Sequence, residues 1–283
     1  MVMDAKKLKE AKVFAARIRM ETLKALAEAG CGHVGGSLDL AELMAVLYGG
    51  KMRIDPVNPA WAGRDFLVMS KGHAGPVLYA TLALKGFFPM EELATLNKIG
   101  TSLPSHCDRR KTPGVDMTAG SLGQGISAAT GIALGNQLAG RDNYTYCVVG
   151  DGEMDEGSVW ESMLLAPQLK LSRYIVIVDN NGMQIDGVTK DVLNLGNLTA
   201  KAAEFGWYAV DVDGHDPAAI DGAIDDCKAA GRPAFINLHT VKAKGWAKYE
   251  GQVGSHWVGV MSKEDIAEPL SRLEAEIAGL EAV

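Results

Sequence analysis

Apolar residues recur along this chain with two periods. Between residues 5 and 29, Leu8, Ala11, Ala15, Ile18, Thr22 and Leu26 share one face, and Gly30 follows. That spacing predicts an amphipathic helix stopped by glycine. Five short runs are apolar almost throughout: Phe66 to Met69, Tyr146 to Val149, Tyr174 to Asp179, Tyr208 to Val212 and Ala234 to Thr240. They predict strands buried on both faces. Helical segments are expected at about 38–48, 78–85, 90–98, 120–139, 158–169, 198–205 and 217–230, with a C-terminal helix at about 263–280. Strands alternating with helices predict an α/β fold, a parallel sheet with helices on both faces. Residues 53–65 carry Pro56, Asn58 and Pro59 and read as a loop. Residues 100–118, with Pro104 and Pro113, are irregular too, and a loop of that length in a compact domain tends to be functional. No internal repeat or interdomain linker interrupts the pattern, so residues 1–283 are expected to form one domain.

Composition narrows the classes. Apolar residues make up 47% of 283, enough for a sizeable core. The 33 glycines gather in clusters such as Gly35-Gly36 and Gly120-Ser121-Leu122-Gly123-Gln124-Gly125, which suit tight turns beside a ligand. A net charge of −7 without a long basic run argues against nucleic acid as a partner. No stretch reaches the length of a membrane span, and the N-terminal segment reads as an amphipathic helix rather than a secretory signal. Cys31, Cys107, Cys147 and Cys227 form no C-x-x-C pair, so free thiols and a cytoplasmic location are expected.

The densest chemical signal lies at two strand ends. Gly150-Asp151-Gly152 closes one apolar run, and Asn180-Asn181 closes the next. Each strand thus delivers an oxygen ligand to the carboxyl edge of the sheet, where open α/β folds bind ligands. A carboxylate and an amide oxygen suit Mg²⁺ or Ca²⁺, and Mg²⁺ commonly shares its shell with phosphates. Four histidines stand in glycine-rich or loop contexts: His33, His73, His106 and His256. None has the spacing of a helical zinc motif. His215 reads as part of a turn and His239 as a structural strand residue. The glycines at 120, 123 and 125 are expected to open a helix whose first amides could face phosphate. Their order differs from the dinucleotide fingerprint, which argues against an NAD site.

The pairing of GDG with NN about thirty residues later resembles the thiamine diphosphate signature. Together with SKGHA (70–74), TAGSLGQG (118–125), GDGEMDEG (150–157) and DNNGMQIDG (179–187), it resembles the diphosphate-binding half of the transketolase family, from about residue 10 to about 258. The resemblance implies a thiamine diphosphate-binding fold of the kind called the PP domain, with Mg²⁺ (or Ca²⁺ or Mn²⁺ as substitutes) held by Asp151, Asn181 and the backbone carbonyl of Met183. It implies that His73, Gly120, Leu122, Gly152 and Lys242 meet the cofactor, and that His256 reaches cofactor and substrate. His33 and His106 would touch the sugar; with His256 they are the candidates for moving protons. Glu156 matches an acidic residue at a contact between subunits. Two positions depart from the family pattern: Val34 stands where proline is usual, and Trp257 where glycine is usual.

Transketolases of full length carry a second domain that holds the pyrimidine ring of the cofactor. No such domain is legible in these 283 residues. The chain is therefore expected to be the N-terminal subunit of a split transketolase. It would transfer a two-carbon ketol unit from a ketose phosphate to an aldose phosphate, with a separate pyrimidine-binding subunit in an α2β2 heterotetramer. Its segment Glu153-Met154-Asp155-Glu156 and the small-residue helix at 120–139 are expected at that interface. The competing readings are a deoxyxylulose-phosphate synthase, a 2-oxoacid dehydrogenase E1 α-chain, and a non-catalytic assembly subunit. The basic run Arg109-Arg110-Lys111 beside His106 reads as a solvated loop, with a phosphate contact as its alternative.

Overall fold

The computed structural model describes residues 3–282. Its strands are β1 (Phe66–Met69), β2 (Thr145–Gly150), β3 (Tyr174–Asn180), β4 (Met183–Gln184), β5 (Gly187–Val188), β6 (Tyr208–Asp213) and β7 (Ala234–His239). A five-stranded sheet has the order β1-β2-β3-β7-β6, and every pairing in it is parallel. All its carboxyl ends therefore lie along one edge. β4 and β5 make a small antiparallel hairpin that no apolar run announces.

The helices are α1 (Ala5–Ala29), α2 (Gly35–Leu38), α3 (Ala41–Val46), α4 (Gly75–Leu84), α5 (Gln124–Leu138), α6 (Gly157–Gln168), α7 (Thr189–Val192), α8 (Leu198–Glu204), α9 (Pro217–Ala229) and α10 (Ala267–Glu281). Alternate strand residues feed two separate cores. Tyr146, Val148, Ile175, Ile177 and Ile236 pack with residues of α1, α3, α4 and α9. Cys147, Val149, Val176, Val178 and Phe235 pack with α5, α6 and α8. Burial on both faces explains why β1, β2, β3 and β7 carry little polar alternation. The edge strand β6, expected to be buried likewise, is mostly half-buried, because it has a neighbour on one side only, and its Asp211 and Asp213 are exposed. Each fully buried aliphatic side chain contributes roughly 1.5–3 kcal/mol.

Local chemistry sets the helix ends. The Asp4 carboxylate accepts the Lys7 amide at the start of α1, and Gly30, at φ 79°, closes it by donating to the Leu26 and Ala27 carbonyls. α9 begins Asp216-Pro217, with the aspartate accepting from the Ala218 amide.

Four expected helices differ in form. The segment 38–48 is broken into α2, α3 and a π-helical turn over Leu47–Lys51, because Asp39 and Leu40 turn between α2 and α3 and a glycine pair interrupts the far end. The segment 90–98 keeps only a 3₁₀ turn over Met90–Thr95, pinned by the buried Leu93 and Leu96, and Asn97 then leaves the helical region at φ 61°. The last helix starts at Ala267 rather than Lys263. The glycines at 120 and 123 precede α5 instead of opening it: Gly123 is its N-cap at φ 78°, a left-handed conformation that glycine adopts without steric cost.

Candidate active site

Four strand ends supply the site. β1 runs into Ser70-Lys71-Gly72-His73, β2 into Asp151, β3 into Asn181, and β7 into Thr240-Val241-Lys242. Register aligns these ends, since Gly150 pairs with Asp179 and Asn180 with His239. Between them lies a cavity of about 350 Å³. Every site residue expected from the sequence lines it. His33, His73, His106 and His256 share its wall with Gly120 and Leu122, while Asp151, Gly152, Asn181, Met183 and Lys242 complete the lining. Glu156 stands on the same rim and is exposed. Arg109, Arg110 and Lys111 are exposed and are not part of the lining.

The oxygen-rich part has the donor chemistry of a divalent-cation site. Asp151 is buried; its carboxylate accepts from the Gly152 amide at 2.9 Å and from the Thr189 hydroxyl at 3.0 Å. Burial, and then the Asp179 carboxylate, raise its pKa to about 6, a cost that a bound cation would remove. Asn181 donates its amide hydrogens to Asp39 at 3.0 Å and Asp179 at 3.3 Å. This fixes the flip of the amide, so Oδ1 faces the Met183 side and accepts that residue's N–H at 3.0 Å. The Met183 carbonyl already receives a cation, the Lys242 ammonium, at 3.2 Å. Among the described residues no group of three or more His, Cys, Asp or Glu side chains is arranged to hold a metal. An ion here would therefore draw on one carboxylate, one amide, one backbone carbonyl and oxygens from its ligand, which fits Mg²⁺ carried by a diphosphate.

The floor beneath these ligands is a buried charge network that no motif announces. Lys71 bonds Asp179 and lies 3.8 Å from Asp39, and all three are fully buried. Asp179 also accepts the Thr240 hydroxyl at 2.5 Å, and its backbone carbonyl accepts the Asp151 amide at 3.0 Å. Burial and Asp179 push the Asp39 carboxyl well up. Lys71 sits inside SKGHA and Asp179 inside DNNG, so motif spacing could have found both; Asp39 carries no pattern at all. Glu153 is a correction. The acidic segment 153–156 is expected at a subunit surface, yet Glu153 is buried. Its carboxylate accepts from Ser70 Oγ (2.5 Å) and from the amides of Gly123 (2.9 Å) and Gly150 (3.1 Å), locking three loops together. Met154 is buried too, which leaves Asp155 and Glu156 as the acidic part of that segment that meets solvent.

Glycine makes the close approach possible. A Cβ on Gly36 would stand 2.9 Å from Lys71 Nζ and 3.0 Å from His73 Nε2. A Cβ on Gly35 would stand 2.8 Å from Lys242 Cγ. The Lys71 ammonium and the His73 ring thus pack directly on Gly36 and the Lys242 stem on Gly35, so neither position admits a side chain.

The histidines form one cluster. His33 lies 5.4 Å from each of His73, His106 and His256, centroid to centroid, and His73 lies 5.0 Å from His256. Burial, with His106 and Lys71 beside it, lowers His33 to about 4. Burial, with Lys242, His33 and Lys71, lowers His256 to about 3. Burial and Lys71 hold His73 well below its usual range, and burial lowers His106. All are neutral at pH 7 and able to give or take a proton. His33 Nδ1 is buried without a hydrogen-bond partner. Trp257 packs its ring edge-on against His33 at 4.7 Å, and a backbone bridge between Gly32 and Val258 keeps the two segments together. Val34 is fully buried.

The fold and cavity define a thiamine diphosphate-binding class of domain: residues 10–276 match the family model for the transketolase thiamine diphosphate-binding domain. The chain belongs to the transketolase family. It is 51% identical over 240 residues to the 6-deoxy-6-sulfo-D-fructose transketolase subunit SqwG of Clostridium sp. (strain MSTE9), covering 84% of this chain and 87% of that one. It is 33% identical over 264 residues to an apulose-4-phosphate transketolase subunit of Phocaeicola vulgatus, covering 93% of each. The crystal structure of transketolase from Campylobacter jejuni superposes with a TM-score of 0.88 at 29% identity, covering 98% of this chain but 46% of that one. The chain thus spans less than half of that transketolase and most of the relatives that are named as subunits.

Proposed function

We propose that residues 1–283 act as one PP-type domain, the diphosphate-binding subunit of a two-chain transketolase that moves a two-carbon ketol unit from a ketose to an aldose. The observation that carries this is the convergence of Asp151, Asn181, Met183 and Lys242 with the four histidines on one cavity. Asp151, Asn181 Oδ1 and the Met183 carbonyl would hold Mg²⁺, with Ca²⁺ or Mn²⁺ as substitutes. Gly152, Lys242 and His73 would receive the diphosphate, and Gly120 and Leu122 the thiazolium side. Thiamine diphosphate, when bound, supplies the carbon nucleophile that cleaves and rebuilds the ketose chain. The protein orients it, excludes water and handles protons: neutral His33, His106 and His256 can accept a proton from a sugar hydroxyl and return it. A separate pyrimidine-binding chain would complete the site in an α2β2 assembly. The subunit-named relatives support such a partner. Free cysteines support a cytoplasmic setting.

The 51% relative is named for 6-deoxy-6-sulfo-D-fructose, which favours a second reading of the donor: a ketose with a sulfonate where others carry a phosphate. Supplying the assembled enzyme with fructose 6-phosphate and with the 6-sulfo sugar separates the two. The site itself is tested by Asp151→Ala. The carboxylate is the only formal charge the protein gives the metal, so calorimetry should show Mg²⁺–thiamine diphosphate binding abolished while circular dichroism stays unchanged. Near-parental affinity would refute the metal assignment.

A further inference from the structure

Lys242 stands in a loop whose geometry is set from outside the cavity. Ala243, the next residue, is fully buried and has φ 57°, a conformation unusual for a residue with a Cβ. Backbone held that way persists only where its surroundings over-determine it. Here they do. The Ala243 amide donates to the Gly35 carbonyl at 3.1 Å. The Val241 amide donates to His215 Nε2 at 2.8 Å. That bond requires an unprotonated Nε2, so the ring proton lies on Nδ1, which faces Glu42 Oε2 at 3.2 Å. Glu42 in turn takes both arms of Arg19, at 2.6 and 2.5 Å. The circuit closes on the backbone, because Arg19 Nε donates to the carbonyls of both Leu38 and Lys244, each at 3.1 Å.

One guanidinium therefore joins two loops. Leu38 precedes Asp39, which holds the Asn181 amide; Lys244 lies two residues beyond Lys242. Arg19 and Glu42 are buried, and His215 is largely so; none of the three lines the cavity. We propose that Arg19, Glu42 and His215 are positioning residues, a clamp that fixes the distance between the Asp39 loop and the Lys242 loop and thereby aims the Lys242 ammonium at the ligand's anionic group. This rests on the reading of the cavity as a Mg²⁺–thiamine diphosphate site. Removing Arg19 would strand the buried Glu42 carboxylate and endanger folding, so His215 is the place to test the clamp.

The experiment compares His215→Phe with His215→Gln in the full chain. Phenylalanine keeps the bulk and loses the acceptor for the Val241 amide; glutamine retains an acceptor oxygen for it. Hydrogen exchange followed by mass spectrometry should show the 240–246 segment exchanging about tenfold faster in His215→Phe, with β2 and β3 unchanged, the size expected for one lost hydrogen bond at a local site. Calorimetry with Mg²⁺ and thiamine diphosphate, on the chain with its partner subunit, should show about a tenfold weaker Kd, and His215→Gln should restore both readouts. Unchanged exchange in His215→Phe would overturn the clamp. Faster exchange with unaltered cofactor affinity would overturn its role in aiming Lys242. Absence of thiamine diphosphate binding in the parent protein would defeat the cofactor reading instead, and the exchange result would still decide whether the clamp exists.

Discussion

Neutral imidazoles packed against two lysines carry a stability signature. A histidine whose pKa is lower in the folded chain than in the unfolded one binds fewer protons when folded, so its contribution to stability is complete above the ordinary pKa and erodes as pH falls. For His33 the window runs from 6.5 down to about 4, and for His256 from 6.5 down to about 3. Asp151, raised from 3.8 to about 6, pulls the other way between those values. The histidine share is isolated by comparison: in urea titrations, the loss of midpoint between pH 6.5 and about 4 should be shallower in His33→Asn and His256→Asn than in the parent. Parallel curves would show that the cluster is not desolvated in solution. His106 has a different part. It is the most exposed of the four, only partly buried, and it lines the cavity beside His33 without bonding any of the oxygen ligands. His106→Ala should cut turnover by about 10²-fold, the scale of one proton-transferring group, and raise KM for the ketose while cofactor affinity holds. A lowered melting temperature with parental kinetics would mark the residue as structural.

At the scale of elements, the sheet was legible because its inner strands are buried on both faces, and a run such as Tyr174-Ile175-Val176-Ile177-Val178 has few other fates in a folded chain. The site motifs were legible because they sit directly on strand ends: Asp151 and Asn181 follow β2 and β3 with no intervening loop. What stayed hidden was long-range pairing. Nothing local ties Lys71 to Asp179, Glu153 to Gly123, or His215 to Glu42, and His215 in a Gly-His-Asp turn looks like any surface histidine. The α5 boundary was misplaced for a related reason. Gly123 and Gly125 have different tasks, a left-handed cap and a close contact, and in the sequence they look alike. A Cβ on Gly125 would fall 2.6 Å from Ser70 Cα, where α5 crosses the end of β1. Gly125→Ala should therefore destabilise the protein by about 1–3 kcal/mol despite improving helix propensity. A denaturation midpoint at or above the parent's would mean that β1 and α5 separate freely at this crossing.

The whole molecule presents an uneven surface. α5 turns Ser127, Gly131, Gly135 and Leu138 to solvent, and space beyond Gly131 and Gly135 is open. Leu138 is 78% exposed, and on neighbouring α6 Leu164 and Leu165 are 58% and 47% exposed. Ile185 on the cavity lining is exposed as well, as are Val192 and Leu193. Small residues that admit a close partner, with uncovered leucines on the same helix pair, are what a subunit that shares its site would show. Obligate interfaces bury roughly 2,000 Å² or more and are apolar. The expected assembly is two copies of this chain with two pyrimidine-binding chains, and the purified chain alone should give no ketol transfer with Mg²⁺ and thiamine diphosphate. Charge placed on the exposed face tests the surface directly. Leu138→Asp and Leu164→Glu touch no core, so each should leave the melting temperature of the isolated chain nearly unchanged, within the roughly 0.5 kcal/mol usual for surface substitutions. Together they should dissociate the co-expressed complex in light scattering and remove its activity. A fully active one-to-one heterodimer would refute the tetramer, and an intact, active complex carrying both charges would place the partner on another face.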